Sequence, residues 1–205
     1  MAEELGQIEK TPVAREGRKL LLVSLIFRGA DAPPDYLERF DLYWQQIGEQ
    51  IGNLEAKTGK VNRVYHELVS IAGEDGLKVM EKLNPSSWQI AKAKCQNGAK
   101  LEATEDKELV EECMDWERCL LTGLMSSRVT QTVSQFYVEA SRKRYEHIAR
   151  RIDETLKEGE IATLFIIERH MVQFPSDIQV FSVAPPALDQ IYRWLRDRAS
   201  RREEG

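Results

Sequence analysis

Histidine and cysteine are scarce in this chain: three of each among 205 residues. Cys95, Cys113 and Cys119 cannot all pair, no C-x-x-C occurs, and no histidine lies close to any of them in sequence. A disulfide framework and a zinc-finger spacing are thereby excluded, and a reduced, cytoplasmic compartment with small buried thiols is expected. Long apolar runs are also missing. The longest is Leu20–Phe27, interrupted by Ser24, whereas a membrane-spanning helix needs about 20 residues. The first residues, Met1-Ala-Glu-Glu-Leu5, lack the basic and apolar regions of a secretory signal. There is no excess of positive charge: 29 Lys+Arg stand against 34 Asp+Glu, a net −5, which disfavours a dedicated DNA-binding domain. Three common catalytic patterns are absent as well. The chain has no G-x-x-x-x-G-K-[ST], no G-x-G-x-x-G after a strand and no G-x-S-x-G, so the ATPase, dinucleotide and serine-hydrolase readings lose support.

What is present suffices for a core. Hydrophobic residues make up 42% and charged residues 31%, within the range of folded domains. Lys19–Phe27 is apolar on both faces, as a strand covered by helices on each side would be. Pro33-Pro34 breaks it, and helical spacing follows from Asp35 to about Lys57 through Tyr36, Phe40, Trp44, Ile47, Ile51 and Leu54. Val61–Ile71 is rich in β-branched and aromatic residues and predicts a second strand. A short helix to Leu83 comes next, then a helix opened by Asn84-Pro85. Ala99–Ala103 predicts a brief extended piece. Thr104 is the expected cap of the following helix, with Glu105 and Asp106 in its first turn. Ser127 to about Glu158 carries the longest helical pattern. Ile161–Ile167 and Asp177–Val183 read as strands, and Ala187–Arg198 as a last amphipathic helix.

This order predicts an α/β fold, a mostly parallel sheet flanked by helices with a helical insertion. Residues 1–17 are expected to form a flexible tail, 18–199 one domain with a helical lobe around 85–125, and 200–205 a charged tail.

Ligands of open α/β sheets bind beyond the carboxyl ends of the strands. Asp31, His66, Glu67, Glu105, Glu168 and His170 fall near those ends if the strands run parallel. Carboxylates beside a histidine are the groups that exchange protons or bind a divalent metal, yet the spacings match no metal signature and the sequence names no cofactor. Charge is also segregated. Eight acids lie between Glu102 and Glu117, and Arg142, Lys143, Arg144, Arg150 and Arg151 form a basic run echoed by Arg193, Arg196, Arg198, Arg201 and Arg202. Such faces suit RNA phosphates or an acidic protein partner. A homodimer through the long helix is a further option, as is an unidentified small molecule at the strand ends.

Several segments carry a resemblance. Arg144–Ile152 (RYEHIARRI), Asp153–Glu160, the strand running to His170, and Pro175-Ser-Asp-Ile-Gln-Val180 resemble the C-terminal part of a family of uncharacterised bacterial proteins. Val64-Tyr65-His66-Glu67 and Gly98–Glu105 resemble its middle. More distantly, the arrangement is similar to the TraB and erythromycin-esterase-like superfamily, whose members include hydrolases that use His and Glu, some with a metal. The resemblance implies a pocket of Glu67, Glu105, Arg144 and His170. In that pocket His170 would act as base or metal ligand, the carboxylates would position water or metal, and Arg144 would hold an anionic group. The chain departs from the superfamily after the first strand, where Ile26-Phe27-Arg28-Gly29 stands in place of a segment with histidine.

Overall fold

The computed structural model describes residues 17–203, with side chains described as far as residue 200. The greater part of the expected N-terminal tail therefore lies outside the described residues, as does the end of the C-terminal one. Gly17, placed in the tail by sequence, is tied down through its N–H to Glu158 Oε1 at 2.7 Å.

The chain folds as β1 (Arg18–Ser24), α1 (Pro34–Thr58), β2 (Arg63–His66), α2 (Gly73–Leu83), α3 (Pro85–Gln96), β3 (Lys100–Leu101), α4 (Lys107–Leu121), α5 (Ser127–Thr155), β4 (Ile161–Ile166), β5 (Ile178–Val183) and α6 (Pro186–Glu203). The five strands form one sheet in the order β3-β2-β4-β1-β5, and every pairing is parallel. The fold class is thus α/β, with a sheet that is wholly rather than mostly parallel.

Alternation along the strands divides the core in two. Leu21, Val23, Val64, Ile161 and Phe165 face α1, with Phe40, Tyr43, Ile47 and Ile51 packed on them. Leu20, Tyr65, Ala162, Leu164 and Ile166 face α5 through Tyr145, Ile148 and Ile152. Burial on both faces explains the unbroken apolar run of β4, IATLFI, of which all six residues are buried.

Chain order decides what reaches the carboxyl ends. β4 is inserted between β2 and β1, so the segments after β2, β3 and β4 lie side by side. From β4 the chain must cross β1 to begin β5 in parallel. It does so without a helix, over residues 167–177, with Val172 buried and Phe174 half-buried on the α5 face. His170 rides on this strap.

Several expectations need correction. β2 stops at His66 instead of continuing to Ile71, because Leu68 takes a left-handed turn with φ 68°, the one positive φ outside glycine among the described residues. Thr104 is not a cap. It is fully buried and its hydroxyl accepts the His66 N–H at 2.9 Å. Asp106 caps α4 instead, accepting from Glu108 and Leu109. The helices expected as one lobe around 85–125 divide. α3 packs on α2, β2 and β3 as part of the main body, whereas α4 has α5 as its main packing partner. α6 continues to Glu203, through residues expected in the charged tail. No helix among the described residues is long and apolar enough to cross a membrane.

Candidate functional site

β2 ends at His66, and the ladder is carried one residue further by the Glu67 N–H, which donates to Phe165 O at 2.9 Å. Successive side chains on a strand point to opposite faces. His66 therefore turns toward α3 and Glu67 toward α5, which separates two residues that sequence placed together.

Glu67, Glu105 and Arg144 converge on the α5 face. The Arg144 Nη2 donates to Glu67 Oε1 at 2.7 Å, and Nε reaches both Glu105 oxygens at 3.1 Å. The remaining capacity is taken by backbone. Glu67 Oε2 accepts the Ile167 N–H at 2.8 Å, and Glu105 Oε1 accepts the Leu68 N–H at 3.2 Å. All three residues are buried. One guanidinium on α5 thus fastens the segments leaving β2, β3 and β4. The Glu105 carboxylate also holds Leu68 in a conformation that costs a non-glycine residue of order 1–3 kcal/mol on its own.

Burial pushes the Glu105 carboxyl up from its ordinary value against the pull of Arg144. Burial likewise opposes the charge on Arg144, but the Glu105 and Glu67 carboxylates outweigh it and hold the guanidinium protonated.

His170 is half-buried beside this cluster. Its Nδ1 accepts the Val172 N–H at 3.3 Å and its ring stands edge-on to Phe174, centroids 5.8 Å apart. Burial lowers its pKa while the Glu67 charge raises it, for a net decrease. With Nδ1 accepting, the neutral ring carries its proton on Nε2, a tautomer assigned from the hydrogen bonds. The remaining strand-end candidates do not join the group. Asp31 and Glu168 are exposed, and the Glu168 charge acts on Tyr192 of α6. Among the described residues no three His, Cys, Asp or Glu side chains are grouped to hold a metal.

His66 forms a separate polar contact that sequence reading did not foresee. It is fully buried, with Nδ1 against the Glu67 carbonyl and Nε2 3.1 Å from Ser87 Oγ. The Glu67 carbonyl can only accept, so the neutral ring donates from Nδ1, and its Nε2 competes with the Asn84 carbonyl, 3.0 Å from Ser87 Oγ, for the one Ser87 hydroxyl proton. Burial lowers its pKa to about 4, opposed by the bond to Glu67. Because the folded value lies below the unfolded one of about 6.5, the unfolded chain binds the proton first. The His66 contribution is complete above about pH 6.5 and is lost as pH falls toward 4. At about 1.4 kcal/mol per unit, it amounts to about 3 kcal/mol. Urea midpoints of the wild type and of His66→Gln, measured from pH 7 to 4, check this. The wild type should lose stability faster than the variant; parallel curves would contradict the assignment.

Comparisons of the chain with models of protein families, with curated proteins and with solved structures find no match. The reading of this site therefore rests on its geometry.

Proposed function

We propose that this chain is a non-catalytic interaction protein, and that Glu67, Arg144 and Glu105 are a structural clamp at the carboxyl edge of its sheet. The observation that carries the reading is that every carboxylate oxygen of Glu67 and Glu105 is already engaged by Arg144 or a backbone N–H. Each oxygen has a donor and both carboxylates are buried against the guanidinium, an arrangement that leaves little room to activate water or receive a metal, although each Glu67 oxygen keeps a second lone pair. The surface meanwhile offers a docking feature. Six of the twelve large apolar side chains exposed among the described residues lie on α4, α5 and the turn between them, a clustering that marks contact surfaces.

The arginine-rich run is less available than its composition implies. Arg142 pairs with Glu146 and Lys143 with Glu139, Arg144 is buried, Arg150 bonds His147, and Arg151 pairs with Glu154. On α6, Arg193 pairs with Asp189 and Arg198 lies over the Trp194 ring. Contact through the helical arm is therefore favoured over an RNA or acidic-protein site on those cations. Retention on RNA should be weak at low salt and absent at physiological salt.

A second reading, a divergent hydrolase of the TraB or erythromycin-esterase-like kind, draws support from His170. It sits half-exposed within the field of Glu67, and its Nε2 has no hydrogen-bond partner among the described residues. One experiment separates the two. Purified full-length protein is analysed for metal and screened against a panel of esters, alongside His170→Ala. The interaction reading expects no bound metal and no turnover distinguishable from that of the variant. Turnover lost in His170→Ala would establish the hydrolase.

A further inference from the structure

We propose that the partner of the arm is a second copy of this chain, with α5 packed antiparallel on α5 about a two-fold axis at Val138. The proposal rests on the interaction reading and names the surface and the occupant.

α4 covers one side of α5, where Trp116 stacks on Phe136 and Cys113 meets Ser141. The opposite side carries Gln131, Gln135, Val138, Arg142, Tyr145 and Ala149, of which Tyr145 (buried) and Ala149 (half-buried against the sheet) reach this side only by their edges. Their steps of four, three, four, three and four residues are the spacing of a coiled-coil seam. This stripe is shallow at its Gln131 end and more enclosed beside Met171. A depression of about 460 Å³ lies along Gln131, Gln135, Val138 and Arg142. A groove of about 400 Å³ continues it along Tyr145, Ala149 and Met171. Val138 is 58% exposed and Met171 55%.

Apolar matching selects the occupant and its direction. Arg142, the one cation on the stripe, is already paired with Glu146 of its own helix. A parallel pair would set the apolar turn before α5 against its own copy and leave the groove beside Met171 unfilled. An antiparallel pair centred on Val138 sets Arg142 opposite Ser134 and Gln135, whose oxygens accept hydrogen bonds. It sets Tyr145 opposite Gln131, and Val138 opposite itself. The antiparallel pair is an isologous two-fold contact with its axis at Val138.

Length agrees. Ser127, where α5 begins, and Ala149 are equidistant from Val138, about 17 Å on either side at 1.5 Å per residue. The turn just before Ser127 carries Leu121 and Met125, 79% and 101% exposed. In the antiparallel pair this apolar tip arrives at the apolar groove formed by Tyr145, Ala149 and Met171 of the other copy. It would thereby cover the strap next to His170.

Sedimentation equilibrium of the full chain tests the proposal. The wild type should have twice the 23.6 kDa chain mass. Val138→Arg, which places like charges on the axis, and Met125→Glu, which charges the tip, should each weaken association at least tenfold while leaving the circular dichroism of the fold unchanged. Oxidative cross-linking fixes the direction. Val138→Cys should give a disulfide-linked dimer, because the residue meets itself on the axis. Gln131→Cys should not, because it lies opposite Tyr145. A wild-type monomer up to about 100 µM, or equal cross-linking at both positions, would overturn the proposal. Neither result depends on the esterase screen, so self-association and the non-catalytic reading fail separately.

Discussion

Replacing Arg144 by methionine should cost about 3–5 kcal/mol of folding stability, among the largest losses available to a single residue of this chain. The substitution keeps most of the aliphatic volume and removes the guanidinium. Two carboxylates, each 3% exposed as a residue, are left facing one another. Their backbone donors, the Ile167 and Leu68 N–H groups, remain. Those donors cannot neutralise both charges, so the protein must either protonate a carboxylate or open the site. The melting temperature should fall by about 10 °C for a chain of this size. Arg144→Lys should recover little, because a point ammonium cannot reproduce the fork in which Nε serves Glu105 and Nη2 bridges Glu105 and Glu67. The surface pairs make a useful contrast. Breaking Arg142–Glu146, both more than half exposed, should cost well under about 1 kcal/mol. Urea titrations of the three variants check the ranking.

Gly76→Ala should be comparably damaging for a steric reason. A Cβ at Gly76 would lie 2.0 Å from the Ile71 carbonyl oxygen and 2.9 Å from Leu101 Cδ2. The first of these is backbone and cannot rotate away. The first turn of α2 would have to lift from the segment that follows β2, and Leu101 on the edge strand β3 would move with it. A loss of about 3 kcal/mol is expected, the upper end for an overpacked site. Gly48→Ala is the control. It lies mid-way along α1 with nothing within 4 Å of the added carbon, and alanine there should stabilise by up to about 1 kcal/mol. If both alanines proved neutral, the close packing of α2 on Ile71 would be wrong.

These expectations show where sequence reasoning succeeded and where it stopped. The strands β1 and β4 were legible because a strand covered on both faces is apolar throughout. β5 was legible from its β-branched and aromatic residues, although it lies at the sheet edge with Gln179, Val180, Phe181 and Ser182 exposed. The end of β2 was not. Glu67 and Leu68 continue a plausible strand, and the turn at Leu68 is imposed by a hydrogen bond to a residue 37 positions away. A second long-range contact hid the role of Thr104. Its hydroxyl is spent on His66, so the capping falls to Asp106, a residue with an equally good side chain.

The proximity of Glu67, Glu105 and Arg144 agrees with what the resemblance implied, while their role was opaque in the sequence. Topology argues for acids at strand ends, and Glu67 and Glu105 lie there with Arg144 between them. Sequence cannot show that a carboxylate is ion-paired and buried, because that depends on partners 39 and 77 residues distant. Nor could it place His170 on a helix-free crossover, since nothing in residues 167–177 marks the segment as spanning β1. The lobe was displaced for a related reason. α3 and α4 both read as helices, but only the packing shows that α3 lies on the sheet and α4 on α5.

The claim on which the rest depends is that Arg144 serves the fold by neutralising Glu105. A double-mutant cycle in urea, with Arg144→Met, Glu105→Gln and the two combined, measures that pairing directly. The account predicts that the combined variant is markedly more stable than Arg144→Met alone, with a coupling of about 1.5 kcal/mol or more. Additive losses, with a coupling near zero, would contradict it and return the buried carboxylates to the list of groups kept for chemistry.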